Sequence, residues 1–116
     1  MDAHETKVLL VGAGRGGLAL LQLLNRQQQV KVVGVVDVSP DARGVGLARQ
    51  MGIPIGTDYR QFLEFAERGE IDLIINVTGK LDVQQDLLAA CPVHVEVMGG
   101  HSAKLMWDLV ELGRDR

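Results

Sequence analysis

The sequence predicts an α/β fold, a three-layer sandwich with a parallel sheet of about five strands in the order 3-2-1-4-5. Three observations predict it. Short apolar runs alternate with longer stretches of helical periodicity, the pattern of strand–helix–strand units. The runs at 7–12, 30–36 and 71–77 are rich in Val, Leu and Ile, as strands covered on both faces require. Hydrophobic residues make up 47% of the 116 positions and aromatics only 3%, so one aliphatic core in one domain is expected.

The elements follow in order. Strand one spans 7–12 and leaves through Gly12-Ala13-Gly14-Arg15-Gly16-Gly17. Helix one starts at about Gly14 and runs to about Arg26, with Gly17, Leu20, Leu21 and Leu24 on the face toward the sheet. Gln27-Gln28-Gln29 is a solvated turn into strand two, 30–36, which ends at Asp37. Ser39 and Pro40 suit an N-cap and a first helical position. Gly44 and Gly46 weaken the start of helix two, so its ordered part is expected over 45–51, with Gly52 as the C′ residue. Residues 53–55 form a short third strand, and Pro54 places it toward an edge.

Asp58 caps helix three, Tyr59, Phe62, Leu63 and Ala66 form its apolar face, and Gly69 ends it. Strand four is 71–77, with Thr78-Gly79-Lys80 as its exit loop. Helix four covers 82–90 with Val83, Leu87 and Ala90 inward, and Pro92 blocks its continuation. Strand five is 94–98, and Gly99-Gly100-His101-Ser102 leads into helix five over 103–112. The strand order puts a switch point between strands one and four. A ligand there would meet the loops at 12–17 and 76–80.

The glycine spacing is Gly-x-Gly-x-x-Gly, formed by Gly12, Gly14 and Gly17. It follows a predicted strand, opens a predicted helix, and is succeeded by an acid 20 residues beyond Gly17. Together these are a dinucleotide-binding fingerprint of the Rossmann type. Gly12 permits the tight turn, Gly14 lets a pyrophosphate approach the backbone, and Gly17 allows close packing of helix on strand. The unpaired N–H groups and dipole of helix one favour an anion. Arg15 is placed to touch a phosphate, and Gly16 widens the space. Asp37 is positioned for both ribose hydroxyls, which favours NAD over NADP, although Arg43 is near in sequence. The same geometry also serves S-adenosylmethionine or another adenine nucleotide. The alternative is a glycine turn that only connects strand to helix, with Asp37 as a turn residue.

Other functions find less support. Net charge is −3 with no basic block, which argues against nucleic-acid contact by this domain. The single cysteine, Cys91, forms no internal disulfide, has no nearby base, and fits a reducing, cytoplasmic setting. No apolar run reaches membrane-spanning length, the N-terminus lacks a signal-peptide layout, and no metal-ligand cluster is seen. Asn76, Thr78 and Lys80 are the polar groups at the mouth of strand four. Either the Thr78-Gly79 backbone lines a cofactor and Lys80 meets a carboxylate or phosphate, or these side chains satisfy loop backbone groups. His101 is an acid–base candidate without a visible partner, and otherwise an ordinary loop histidine. Glu96 is expected to face solvent on an edge strand. No nucleophile–base set emerges.

At 8–17, Asp37 and Val77-Thr78-Gly79 the chain resembles the N-terminal cofactor domains of dihydrodipicolinate reductase and of homoserine and aspartate dehydrogenases. That resemblance implies cofactor contacts at Gly12, Gly14, Arg15, Gly17 and Asp37, and more weakly at Thr78 and Gly79. Catalytic residues of such families lie in a second domain and are not carried over. The stretches Asp37-Val38-Ser39-Pro40-Asp41-Ala42, Asp72-Leu73-Ile74-Ile75-Asn76-Val77-Thr78-Gly79 and Val95-Glu96-Val97-Met98-Gly99-Gly100-His101-Ser102-Ala103-Lys104-Leu105-Met106-Trp107 are also similar to Rossmann-like N-terminal domains of bacterial sensor histidine kinases and enhancer-binding regulators. This second resemblance implies a nucleotide-sensing module ahead of PAS, kinase or ATPase domains.

The expected organisation is a tail at 1–6, a dinucleotide-binding domain at 7–113, and an end at 114–116 leading to a further domain. Leu105, Leu109 and Leu112 are spaced four and three apart, with Met106, Trp107 and Val110 adding apolar area. They are expected to pack on the domain's own sheet. A dimerising signalling helix is the alternative. Three functional readings remain open: a non-catalytic NAD(H) sensor, the cofactor half of an NAD(P)-dependent dehydrogenase or reductase, and a degenerate scaffold for protein contacts.

Overall fold

In a computed structural model, residues 5–114 are described. Residues 1–4 of the tail expected at 1–6, residues 115–116 and the side chains of Val110 and Arg114 lie outside the described residues, and Thr6 of that expected tail already opens β1. The elements are β1 (Thr6–Val11), α1 (Arg15–Leu24), β2 (Val30–Val36), α2 (Arg43–Gln50), β3 (Ile55–Gly56), a 3-10 turn (Tyr59–Phe62), α3 (Leu63–Glu67), β4 (Leu73–Asn76), α4 (Leu81–Ala90), β5 (Glu96–Met98) and α5 (His101–Arg114). The five strands are parallel and run β3-β2-β1-β4-β5, the predicted order. The chain has a Rossmann-like α/β fold.

The two-residue period of a strand sorts the core into two layers. Leu9, Val11 and Ile74 face Phe62, Ala66, Leu87 and Val95 on one side of the sheet. Val8, Leu10 and Ile75 face Leu20, Leu21, Val45 and Ala48 on the other. Both faces of β1 and β4 are therefore buried, which explains their unbroken apolar sequence. Phe62 reaches the sheet because two strand residues there lack side chains. A Cβ at Gly34 would overlap its ring, and one at Gly56 would come within 2.8 Å of it. The β1–β2 register also shifts between Val8 and Leu9.

Several boundaries differ from expectation. Helix α2 begins at Arg43, with Ala42 at its N-cap, so Ser39 and Pro40 do not start it. The Ser39 N–H donates instead to Asp37 Oδ1 at 2.9 Å, which holds Ser39 in the preceding loop. Gly44 does not delay the helix, because its N–H donates to the Ala13 carbonyl at 2.6 Å. Strand β3 shrinks to two residues. Pro54 has no N–H for the ladder, and its carbonyl accepts from Val35 at 3.0 Å. Asp58 caps as expected in a reciprocal capping box with Gln61, but the segment opens as a 3-10 turn before α3.

Ala90, expected inward, is exposed at the end of α4, and the neighbouring half-buried Cys91 packs against the core in its place. Glu96 is exposed on the edge strand, as expected. Helix α5 departs furthest. Its inward contacts are Ala103, Met106 and Trp107. Leu105, Leu109 and Leu112 lie on the opposite side at 61%, 60% and 56% exposure. The expectation that they pack on this domain's sheet is therefore wrong. The helix is apolar on two sides, and the sheet takes only one.

Candidate functional site

The carboxyl ends of β1, β2 and β4 bring the glycine turn, Asp37 and the Asn76–Lys80 segment together. Gly12 adopts φ +102, a left-handed conformation that side chains resist, and its N–H donates to the Val36 carbonyl at 2.7 Å. A Cβ on Gly12 would stand 3.1 Å from the Thr78 nitrogen, so this glycine also lets β4's exit approach the turn. At Gly17 a Cβ would overlap the Gly12 carbonyl oxygen, so the helix start closes onto the strand end only because Gly17 has no side chain. Gly14 differs. It is the N-cap of α1, it is exposed, and a Cβ there would meet no atom within 4 Å. The open space over the turn is therefore at Gly14, the position where close backbone approach matters.

Gly16 does not simply widen that space. A Cβ there would touch the Trp107 ring at 3.9 Å, so Gly16 meets the indole of α5. Arg15, in the first turn of α1, is exposed and lines the adjoining cleft.

Asp37 accepts from the Ala13 N–H at 2.7 Å through Oδ2 and from the Ser39 N–H at 2.9 Å through Oδ1. Gly44 holds the other side of the same turn through Ala13's carbonyl, and a Cβ on Gly44 would crowd that oxygen at 2.8 Å. Ala13 is thus gripped at its N–H by the end of β2 and at its carbonyl by α2. Each carboxylate oxygen of Asp37 retains acceptor capacity beyond these bonds. Asp37 follows the end of β2, where the sequence put it, while the contacts of Ala13 and Gly44 were not read from sequence. The only available signal was that both residues are small.

The Asn76–Lys80 segment is internally bonded. Asn76 is buried at 3% exposure. Its Oδ1 accepts from the Thr78 N–H at 3.1 Å and hydroxyl at 2.7 Å, and its Nδ2 donates to Gln84 Oε1 at 3.0 Å. The Thr78 hydroxyl in turn accepts from the Lys80 N–H at 3.1 Å. Of the two readings of this loop, the geometry favours backbone satisfaction for the side chains of Asn76 and Thr78. Gly79, at φ +74 with no atom within 4 Å of an added Cβ, leaves open space beside them. Gln84 also closes on Gly99, where a Cβ would overlap its amide. This chain of contacts ties β4, α4 and the end of β5 into one wall.

Beyond that wall lies a cleft of about 790 Å³, bounded by Arg15 and Gly16, by Asn76 to Gln84, and by α5. Gly100, His101, Lys104, Trp107 and Glu111 are its α5-side lining, and of these only His101 and its preceding glycine were flagged from sequence. Trp107 is a long way from the glycine turn in sequence, so only the tertiary fold joins them. Asp37 is not among the residues that line this cleft. His101 is exposed at the first residue of α5, and no hydrogen-bond partner for its ring is seen among the described residues. Burial pushes the Cys91 thiol above its ordinary value, which fits an unreactive cysteine. Among the described residues no group of three or more His, Cys, Asp or Glu is placed to hold a metal, and no helix is long and apolar enough to cross a membrane.

No family model matches the chain. Acetaldehyde dehydrogenase 2 of Mycobacterium sp. strain KMS is 33% identical over 76 residues, which is 64% of this chain and 24% of that protein. The chain therefore spans about a quarter of the length of this curated relative. Scyllo-inositol dehydrogenase of Lactobacillus casei matches 99% of this chain and 35% of its own in the apo structure, with a TM-score of 0.65 and 18% identity. With NAD(H) and scyllo-inositol bound it matches 96% and 34%, with a TM-score of 0.58 and 19% identity. RSP, a Rex-family repressor, matches 97% of this chain and 61% of its own, with a TM-score of 0.57 and 18% identity. These structural likenesses share the fold, in dehydrogenases and in a regulator alike. No sensor histidine kinase is among these three.

Proposed function

We infer that this chain is an NAD(H)-binding domain, and that it serves as the cofactor-binding half of an NAD-dependent dehydrogenase. The observation that carries the reading is the turn itself. Gly12 and Gly17 are closed by protein contacts while Gly14 between them faces open space, and Asp37 stands at the β2 end of the same turn. That is the room and the acceptor a dinucleotide needs. The similarity to acetaldehyde dehydrogenase 2 and to an inositol dehydrogenase with NAD(H) bound supports the same reading.

In this reading Gly12, Gly14, Arg15, Gly16 and Gly17 hold the pyrophosphate at the start of α1, and Asp37 accepts from the ribose hydroxyls. A 2′-phosphate would meet the Asp37 carboxylate with like charge, so NAD is preferred to NADP. Thr78 and Gly79 line the path toward the cleft through their backbone. The nicotinamide ring supplies hydride transfer when bound. This chain's own residues fix the cofactor's orientation and wall one side of it from water.

A second reading is favoured by one observation. The exposed leucines of α5 suit a protein contact, such as a homodimer, in a nucleotide-responsive signalling module. In that case the dinucleotide must bind two arrangements of α5 with different affinity. The two readings share the cofactor.

Trp107, the only tryptophan, lines the cleft and gives a direct test. Titration with NADH should quench its emission, with energy transfer to the nicotinamide, to a saturable endpoint. An unchanged spectrum at saturating NADH would remove the dinucleotide from this site.

A further inference from the structure

The cleft beside the glycine turn carries a charge opposite to that of the chain. The whole sequence has 12 Lys and Arg against 15 Asp and Glu. The cleft is lined by Arg15, Lys80 and Lys104 against one acid, Glu111. Arg15 stands at the start of α1 and belongs to the pyrophosphate in the reading above. Lys80 and Lys104 come from two other elements, the loop into α4 and the start of α5, and both line the cleft. Among the described residues Lys80 has no acidic partner within ion-pair distance. Lys104 reaches Asp108 at 2.8 Å, but that pair is exposed on one helix and contributes little that an incoming anion would have to replace. The same lining includes the apolar Val77, Leu81 and Trp107. A cleft that combines apolar surface with cations from two elements suits a small organic molecule that carries an oxyanion group.

We propose that Lys80 and Lys104 form a subsite for the carboxylate or phosphate of a second small molecule, which occupies the cleft together with the dinucleotide. This rests on the cofactor reading, because it takes the pyrophosphate to be held elsewhere, at Gly14 and Arg15. It gives the Lys80 side chain a role that the internal bonds of its loop do not use, since those bonds engage its backbone N–H and carbonyl.

The test titrates inorganic phosphate and, separately, acetate into the NADH-saturated chain at constant ionic strength. Trp107 emission and the unfolding midpoint are followed, with sodium chloride as the control. The expected result is a saturable response to one or both anions while NADH stays bound. The variant Lys80→Ala combined with Lys104→Ala should weaken that response by about tenfold or more and leave the glycine turn folded. Lys80→Arg should restore most of it. A response to the phosphate arm alone marks a phosphate-bearing ligand, and to the acetate arm alone a carboxylate. Displacement of NADH by phosphate would overturn the proposal, because the lysines would then serve the cofactor's own phosphates. An equal response to chloride, or none to either anion, would also overturn it. Anion binding in a chain that fails to bind NADH would instead remove the cofactor reading and leave an anion site.

Discussion

The Asp37 carboxylate accepts from the Ala13 N–H at 2.7 Å, and this bond joins the end of β2 to the middle of the glycine turn. It fixes the turn's distance from the carboxylate at the end of β2. Replacing Asp37 with Ala should lower stability by about 1–3 kcal/mol, since two backbone N–H groups lose their acceptor. The same variant should bind NAD more weakly and narrow the difference between NAD and NADP. Denaturant unfolding and paired titrations with the two cofactors check both effects. An unchanged cofactor ratio would take Asp37 out of ribose recognition.

Gly14 and Gly17 separate binding from folding. A Cβ at Gly14 would meet no atom within 4 Å, and its φ of −74 lies outside the left-handed region that favours glycine. Gly14→Val should therefore keep the unfolding midpoint near that of the parent and weaken dinucleotide binding by at least about tenfold. Gly17→Ala should do the reverse first. Its methyl overlaps the Gly12 carbonyl, so a loss of about 1–3 kcal/mol is expected. Thermal unfolding of the two variants side by side distinguishes the two roles.

Asn76 is the buried polar knot under the cleft. Asn76→Leu removes the acceptor of the Thr78 N–H and hydroxyl and the donor to Gln84. Stability should fall by about 2–4 kcal/mol, in line with several buried groups left unpaired. A smaller loss from Thr78→Val, which removes the hydroxyl's bond to Asn76 and the acceptor of the Lys80 N–H but leaves the Gln84 and Thr78 N–H bonds, would support Asn76 as the hub. Equal stability of Asn76→Leu and the parent would mean that the knot is not formed in solution.

Leu109 lies on the outward side of α5 at 60% exposure. Leu109→Glu should change the unfolding midpoint of the monomer little, as exposed sites do. If the chain dimerises through α5, light scattering should show the dimer dissociating in this variant. A loss of several kcal/mol in a chain that is monomeric throughout would place Leu109 in the core, against the structure.

The Cys91 thiol is raised by burial, so at any given pH less of it is thiolate than for a free cysteine. Its alkylation in the native chain should be slow at neutral pH and accelerate only above the ordinary thiol range. Denaturant should restore the rate of a free thiol. Fast alkylation of the folded chain at neutral pH would contradict the burial.

The sheet was legible because β1, β2 and β4 are dominated by Val, Leu and Ile, and the order follows from strand–helix alternation. The glycine turn was legible because its constraints are local: Gly12 needs its φ, and Gly17 needs contact only five residues back. What escaped depends on contacts distant in sequence. Gly44 looks like a helix breaker until Ala13's carbonyl is seen to bond it. Trp107 and Gln84 reach the cleft only once α5 and α4 are packed. In α5 the leucine spacing correctly marks an apolar side, but periodicity does not say which of two apolar sides the sheet takes.

The central claim is that the glycine turn binds NAD, and a thermal-shift titration of the parent and Gly14→Val tests it most directly. The panel is NAD, NADH, NADP, NADPH, S-adenosylmethionine and AMP. At ten times its dissociation constant a ligand stabilises by roughly 1.4 kcal/mol, which corresponds to a midpoint rise of about 4–8 °C per kcal/mol in a small domain. The account predicts such a rise for NAD or NADH in the parent, a smaller one for the phosphorylated forms, and none in Gly14→Val. No rise with either NAD form, or the same rise in Gly14→Val, would contradict it.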